Sequence, residues 1–268
     1  MQSGSGVFEK QGDLYVPTEA ALSPWGTDRL HGGPVLGLLL WAAQQALPEP
    51  QLRLVRMTGD LFARVPNAPL RPQLSVVRAG RRIWLCDVVL LHESQKLARA
   101  SFLWMRAGQG THRVLDQTHP PGPEGQDERP LVAASRRHKM PAGFHTEIET
   151  RFGSERGENR VVWFRMPMPL CSGEAADPLT AAVTLSDFNN AVTSISAYES
   201  ARPSSHMNTD TTLYLERLPV GEWFAMRADT QSDCDGISVG QVVHYDVQGR
   251  FGRSLQARLE AEFNPGAH

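Results

Sequence analysis

The fold class follows from residues 74–106, which read LSVVRAGRRIWLCDVVLLHESQKLARASFLWMR. Between Trp84 and Leu90, apolar residues alternate with a second set that is itself rather apolar, which is typical of a strand covered on both faces. Residues that favour tight turns, Ala79-Gly80 and His92-Glu93-Ser94, separate this strand from its neighbours. The stretch therefore predicts three antiparallel strands joined by short turns.

The same order of elements recurs in the second half of the chain. A predicted helix precedes the strands in each half, over Gly33 to Ala46 and then around 178–197. Arg99 lies 154 positions before Arg253, and Arg64 lies 153 positions before Arg217. A nearly constant offset across several elements indicates a duplication. One helix against an antiparallel sheet is an α+β arrangement, so we predict two such units.

The two halves are separated by a segment without apolar periodicity. Residues 107–130 read AGQGTHRVLDQTHPPGPEGQDERP, in which Gly, Pro, Gln and charged residues dominate. We therefore predict an N-terminal domain over 1–106, a linker over 107–145 and a C-terminal domain over 146–268.

Composition excludes several classes of protein. Apolar residues make up 41% of the chain and charged residues 21%, a globular mixture, and the formal net charge of −2 argues against nucleic acid as a partner. The three cysteines are widely spaced, so neither a disulfide framework nor a metal site is expected. The longest apolar segment, Val35 to Ala43, is too short to span a bilayer, and the N-terminus lacks the apolar core of a signal peptide. We expect a cytoplasmic protein that does not bind membranes.

The first candidate site is the loop that leads into the first helix, around His31-Gly32-Gly33-Pro34. Two glycines let the backbone approach a ligand, and their amides could polarise a carbonyl or hold an anion. The alternative is that the glycines only permit tight helix–sheet packing, with Pro34 in the first helical turn. His31 by itself is more often a structural histidine than a catalytic one.

The second candidate is Asp187, in the stretch LSDFNN at 185–190 of the second predicted helix. It lies about one turn past Val183 on the same face. A carboxylate on a buried helix face is costly unless it has partners or a chemical task. The alternative is that Asp187 caps a helix end.

The third candidate is a group of strand residues. Asn208 and Asp210 should point to the same side of one strand, because strand side chains alternate. In the last strand, Leu255, Ala257 and Leu259 form one face and leave Gln256 on the other. A glutamine alone on an exposed face is normally solvated.

Taken together, these residues resemble those of the acyl-CoA thioesterase II family, within the thioesterase-like double-hotdog superfamily. The resemblance covers nearly the whole chain. It implies two tandem hotdog domains, each a long helix wrapped by a curved antiparallel sheet. The matching pieces are HGGPV (31–35), LSDFNN (185–190), NTDTTLYLERLPVGEW (208–223) and GRFGRSLQ (249–256).

The resemblance implies hydrolysis of acyl-CoA to free fatty acid and CoA, without a cofactor. An Asp, a Ser or Thr, and a Gln hold the attacking water in that family, and they correspond here to Asp187, Asn208 and Gln256. Asn208 departs from the family pattern, but an amide can also hold water. We assign His31, Gly32, Gly33 and Asp210 to substrate binding. The first helix contains no carboxylate, so one site per chain is expected.

Two other functions remain open at this point. The Ser-Asp-x-Asn stretch resembles the Asp-x-Asn-Pro-x-His motif of hotdog enoyl-CoA hydratases, but Asn190-Ala191-Val192 supplies neither the Pro nor the His. The other possibility is a non-catalytic acyl-binding module, since fold alone does not establish function. Sheet edges and apolar strand faces often pair between chains, so we expect a homodimer or a higher homo-oligomer.

Overall fold

The computed structural model describes residues 5–108, 119–131, 140–153, 160–197 and 205–261. Its α-helices are α1 (Gly32–Gln45), α2 (Phe144–Glu147), α3 (Pro178–Leu185) and α4 (Asn189–Ala197). Its strands in the first half are β1 (Phe8–Gln11), β2 (Leu14–Pro17), β3 (Leu22–Ser23), β4 (Gly26–Leu30), β5 (Leu52–Leu61), β6 (Arg71–Ala79), β7 (Ile83–His92) and β8 (Gln95–Arg106). Those that follow are β9 (Asp127–Glu128), β10 (Glu149–Phe152), β11 (Val161–Arg165), β12 (Ser205–Asn208), β13 (Asp210–Leu215), β14 (Trp223–Cys234), β15 (Ile237–Asp246) and β16 (Gly249–Ala261).

Twelve of the described strands form one antiparallel sheet in the order β6-β7-β8-β5-β13-β16-β15-β14-β11-β10-β9, with β12 also paired to β16. The two halves of the chain meet where β5 pairs with β13. At this junction Thr58 lies opposite Thr212, so equivalent residues of the two repeats face each other. The predicted α+β class and the three-stranded runs β6–β8 and β14–β16 are confirmed.

Helix α1 packs antiparallel to α3, and both α1 and α4 lie on the sheet. Helix α1 contacts β6, β7 and β8, whereas α4 contacts β14, β15 and β16. Gly37 of α1 lies against Thr184 of α3, and Gln44 lies against Asp177 at the start of α3. The α1 residues that face the core, such as Leu36 and Leu39, are fully buried. The start of α1 therefore lies next to the end of α3, and the end of α1 lies next to the start of α3.

The second predicted helix, 178–197, is interrupted. It begins with Asp177 as N-cap, whose carboxylate accepts hydrogen bonds from the amides of Leu179 and Thr180. Helix α3 then ends at Leu185, and a 3-10 turn over Ser186–Phe188 leads into α4. A short 3-10 segment between two helices changes the direction of the side chains it carries. The break therefore sets where Asp187 points.

The two faces of the last strand are separated as predicted, and Gln256 lies on the inner face. Leu255 and Leu259 are 39% and 48% exposed, whereas Gln256 is fully buried. The polar face of β16 is turned inward because α4 supplies its partners: Asn189 donates to Ser254, and Arg258 donates to Thr193. The inner face of β16 is therefore its polar face, and the alternative of a solvated Gln256 is excluded.

The interval predicted as a linker, 107–145, contains one strand and the start of α2. Strand β9, Asp127–Glu128, pairs with β10 at the edge of the sheet. Residues 109–118 and 132–139 of this interval lie outside the described residues. We retain the division into domains over 1–106 and 146–268 as a proposal. Within the ranges given above, no helix is long and apolar enough to cross a membrane.

Candidate active site

Asp187 is the centre of the candidate site. It lies in the 3-10 turn between α3 and α4 and is only 5% exposed. The hydroxyl of Ser186, its neighbour, donates to the Val183 carbonyl at 2.7 Å, which helps to close the turn. A buried carboxylate is stable only where donors surround it. Two donors are found, one from each half of the chain.

The donor from the second half is Asn208. Its side-chain nitrogen donates to Oδ1 of Asp187 in a short hydrogen bond. Asn208 ends β12, and the strand is broken at Thr209, whose amide bonds to Ala257 and whose carbonyl accepts from Leu61. The pair predicted from two distant sequence positions is therefore in direct contact.

The donor from the first half is His31, which is the N-cap of α1. Its Nδ1 lies 3.0 Å from Oδ2 of Asp187 and 3.2 Å from the amide nitrogen of Gly33. A proton must lie between Nδ1 and the carboxylate, because two acceptors would repel each other at this distance. We therefore take His31 as the donor to Asp187, although the Gly33 N–H also points at the same ring nitrogen.

The two glycines after His31 allow this contact. A Cβ at Gly32 would lie within 3 Å of both carboxylate oxygens of Asp187, and one at Gly33 would overlap the Thr184 carbonyl. These glycines permit close packing of α1 on α3, on the turn that follows and, at Gly32, on Leu61 of β5. The close approach that packing requires therefore also brings the start of α1 against the Asp187 carboxylate.

Aromatic rings form one wall of the site. The His31 ring lies 5.0 Å from the ring of Phe188 and 5.3 Å from that of Phe144. Phe188 also stacks on Phe144 and on Phe164. These rings limit the rotation of the imidazole and exclude water from one side of Asp187.

Gln256 lies on the inner face of β16 and is held by a residue that the sequence analysis missed. Its side-chain nitrogen donates to Oγ1 of Thr211 at 2.9 Å, and both residues are fully buried. The Gln256 carbonyl oxygen has no hydrogen-bond partner among the described residues. No hydrogen bond joins Gln256 to Asp187 in those residues. Gln256 therefore keeps one amide atom available for a further partner.

Asp210 does not lie beside Asn208 as the alternation rule predicts, because the strand is broken at Thr209. Its carboxylate accepts from the backbone amide of Ala257 at 2.7 Å. Burial raises the pKa of Asp210, the Ala257 amide opposes this, and the charge of Asp60 on the adjoining strand adds to the rise. Asp210 thus links β13 to β16 next to Gln256.

A buried polar network anchors the 3-10 turn from behind. The Asn189 side-chain nitrogen donates to Ser254 Oγ at 3.1 Å and to the Gly240 carbonyl at 3.4 Å. Ser254 Oγ lies 2.7 Å from Nε2 of His244. Burial lowers the pKa of His244 to about 3, so the ring is neutral at pH 7 and shares one hydrogen bond with the serine hydroxyl. Only the Asn of Ser-Asp-x-Asn gave a sequence signal for this network.

Family models of known proteins match both halves of the chain. The model for the N-terminal domain of acyl-CoA thioesterases matches residues 21–105, and the model for the C-terminal domain matches residues 112–259. Together the matches cover most of the chain. No match was found among the curated proteins.

Solved structures with low sequence identity share the fold. An acyl-CoA thioesterase II, TesB2, from Mycobacterium marinum has a TM-score of 0.68 at 15% identity, covering 95% of each chain. The tesB protein of Mycobacterium avium subs paratuberculosis has 0.65 at 15%, covering 95% of this chain and 96% of its own. A hotdog-fold protein from Alicyclobacillus acidocaldarius has 0.69 at 16%, with the same coverage. The predicted double hotdog is confirmed, and the chain belongs to the acyl-CoA thioesterase family, a family of thioester hydrolases.

Proposed function

We propose that the chain hydrolyses acyl-CoA to a free fatty acid and CoA, with a water molecule held by Asp187, Asn208 and Gln256. The observation that carries the proposal is the buried Asp187 carboxylate, which receives donors from both halves of the chain. This arrangement needs only side chains and water, so we propose no cofactor.

Asp187 is the proposed general base. Asn208 and His31 each occupy one acceptor site on a different carboxylate oxygen. A carboxylate offers about four such sites, so an attacking water can still donate to it. The two donors fix the carboxylate in one orientation, and a base in a fixed position is what general-base catalysis requires.

In the proposed step, the water oxygen attacks the thioester carbonyl carbon while its proton passes to Asp187. The carbonyl oxygen then carries negative charge, for which the Gly33 amide at the start of α1 is the proposed donor. The C–S bond breaks as the carbonyl re-forms, and the sulfur leaves as a thiolate. Thiols have a pKa of about 8.5, so the leaving group does not need a strong general acid.

Asn208 and Gln256 are the proposed water-positioning residues. Asn208 lies against the base itself, and its amide has a second N–H and a carbonyl oxygen. Gln256 is fixed by Thr211 and has an unpaired oxygen among the described residues. An amide side chain at 208, where the resembling family has a hydroxyl, therefore suits the hydrolytic reaction.

The test is thiol release from saturated acyl-CoAs of graded chain length. Asp187→Asn keeps the shape of the side chain but removes the base. We expect its kcat to fall at least roughly tenfold, since general-base catalysis contributes about 10²–10⁴-fold. The matched control is Asp13→Asn, because the Asp13 side chain is 76% exposed. Its kcat should equal that of the wild type.

Two other results would replace this proposal. Tight binding of acyl-CoA without thiol release by the wild type would identify an acyl-binding module. Loss of the enoyl absorbance of an α,β-unsaturated acyl-CoA, without thiol release, would identify a hydratase. Equal kcat for Asp187→Asn and the wild type would remove Asp187 from the mechanism.

We also propose that the chain forms a homo-oligomer. Ile237 and Leu259 are 55% and 48% exposed and lie opposite each other on the outer face of β15 and β16. Exposed apolar clusters on a sheet often mark protein interfaces. Light scattering should give at least twice the 29.6 kDa mass of one chain. A monomer at micromolar concentration would refute this.

A further inference from the structure

The inner face of β16 holds Gln256 between two residues that are hydrogen-bonded to helix α4. Side chains alternate along a strand, so Ser254 and Arg258 lie on the same face as Gln256, and all three are at most 1% exposed. Ser254 accepts from Asn189, and Arg258 donates to Thr193 of the same helix. The position of β16 relative to the start of α4 is therefore fixed on both sides of Gln256.

Helix α4 begins directly after the turn that carries Asp187. Asn189, its first residue, is fully buried and lies two positions after the proposed base. The Asn189 side-chain nitrogen has three acceptors within 3.4 Å: the hydroxyl and the carbonyl oxygen of Ser254, and the carbonyl oxygen of Gly240. Gly240 lies opposite Gln256 in the pairing of β15 with β16. One side chain thus links the Asp187 turn to the strand of Gln256 and to the neighbouring strand.

The nature of these acceptors fixes the orientation of the Asn189 amide. If its oxygen and nitrogen were exchanged, the amide oxygen would face two backbone carbonyl oxygens, which cannot donate a hydrogen bond. The amide nitrogen must therefore point to the strands. The link consequently requires a donor at position 189, and an apolar side chain cannot replace it.

In the described part of the chain, Asp187 itself has one hydrogen-bonded link toward β16. Asn208 donates to Asp187, and β12, which ends at Asn208, pairs with β16. His31 holds the other carboxylate oxygen, but it belongs to α1. The Asp187 turn can still rotate about a single side-chain hydrogen bond. A second link is therefore needed to fix the distance between Asp187 and Gln256.

We propose that Asn189 is a positioning residue, which supplies this second link and so sets the distance between the base and the Gln256 amide. The inference rests on the proposed function, in which both groups hold the same attacking water. A misplacement of about 1 Å in a catalytic site can lower the rate about a hundredfold. Loss of the link should therefore lower kcat, whereas substrate binding should be retained.

The test is a double-mutant cycle on kcat in the thiol-release assay. Asn189→Leu keeps the number of side-chain atoms but removes the donor. We expect its kcat to fall at least about tenfold, with KM within about twofold of the wild-type value. In the Gln256→Ala background, the same substitution should lower kcat by less than about twofold, because the distance that Asn189 sets no longer matters.

Thr180→Val is the matched control for lost stability. Thr180 is 3% exposed, and its hydroxyl donates to Gln44 near the start of α3, away from the Asp187 turn. The control loses a buried hydrogen bond and should melt at a lower temperature, but it should keep the wild-type kcat. Asn189→Ala also lacks the donor and occupies less space, so it carries the same test if leucine prevents folding.

The inference is wrong if folded Asn189→Leu or Asn189→Ala keeps the wild-type kcat, or if either substitution lowers kcat by the same factor with and without Gln256. An equal loss of kcat in Thr180→Val would also contradict it, because lost stability would then explain the result. Failure of the proposed function is distinguishable, since it requires that Asp187→Asn keep the wild-type kcat. If Asp187→Asn loses kcat and the Asn189 variants do not, only the role of Asn189 is refuted.

Discussion

His31, at the start of the first-half helix, lies 3.0 Å from the carboxylate of Asp187 in the second half. The proposed base is therefore oriented by a residue from the other repeat. Such a site requires both repeats to be packed together before it is complete. This gives a physical reason why the two hotdog units are held as one chain with a shared sheet.

The first prediction concerns this contact. His31→Leu removes the donor and should lower kcat by about tenfold to a hundredfold in the thiol-release assay, because the carboxylate loses one of its two fixed partners. His31→Asn places an amide nitrogen near the position of Nδ1 and can still donate to Asp187, so it should retain most of the activity. Equal loss in both variants, at equal melting temperature, would mean that the hydrogen bond is not what matters.

The second prediction concerns the packing of α1 on α3. A Cβ at Gly37 would overlap the Thr184 hydroxyl, whereas a Cβ at Gly33 would overlap the Thr184 backbone carbonyl. Gly37→Ala should therefore destabilise the fold by about 1–3 kcal/mol, and adding Thr184→Ala should recover part of this loss. Gly33→Ala should not be recovered in the same way, since the backbone oxygen remains. Urea unfolding of the single and double variants measures the difference, and additive effects at Gly37 and Thr184 would contradict the model of a direct clash.

Much of the architecture could be predicted because its signals are local. Tight-turn residues separated the strands of each repeat, and the first helix, predicted over Gly33–Ala46, is observed over Gly32–Gln45. The contact between Asp187 and Asn208 was expected from the resemblance, since these positions come from two quoted motifs. Local patterns thus sufficed for the order of elements, and the motifs for one contact of the site.

The remaining features depend on partners that are distant in sequence. The 3-10 turn at Ser186–Phe188 is held by Asn189, whose acceptors lie on β15 and β16. Gln256 faces inward because Thr211 receives its amide, although both of its strand neighbours are apolar. A periodic pattern within one segment cannot predict hydrogen bonds between residues of different strands. They become visible only when the strands are placed side by side.

The third prediction uses His244, whose pKa is lowered from 6.5 to about 3 by burial. The folded state binds fewer protons than the unfolded state between these two values, so stability falls as the pH drops below about 6.5. The wild type should lose about 2 kcal/mol of unfolding free energy from this group between pH 7 and pH 5. His244→Gln can keep a hydrogen bond to Ser254 but cannot be charged. Its unfolding free energy should depend less steeply on pH, and an unchanged slope would show that the ring is not buried in the neutral form.

The fourth prediction separates positioning from stability at Thr211, which the sequence analysis did not single out. Thr211→Val keeps the shape of a fully buried side chain but removes the hydroxyl that receives the Gln256 amide. If Gln256 must be held to position the attacking water, kcat should fall by about tenfold, equivalent to about 1.4 kcal/mol of transition-state stabilisation, with little change in KM. Thr211→Ser restores the hydroxyl and should restore kcat, even though it loses a methyl group and some stability. The opposite pattern, in which Thr211→Val keeps full kcat and Thr211→Ser loses it, would make Thr211 a packing residue only and would leave Gln256 without a fixed place in the reaction.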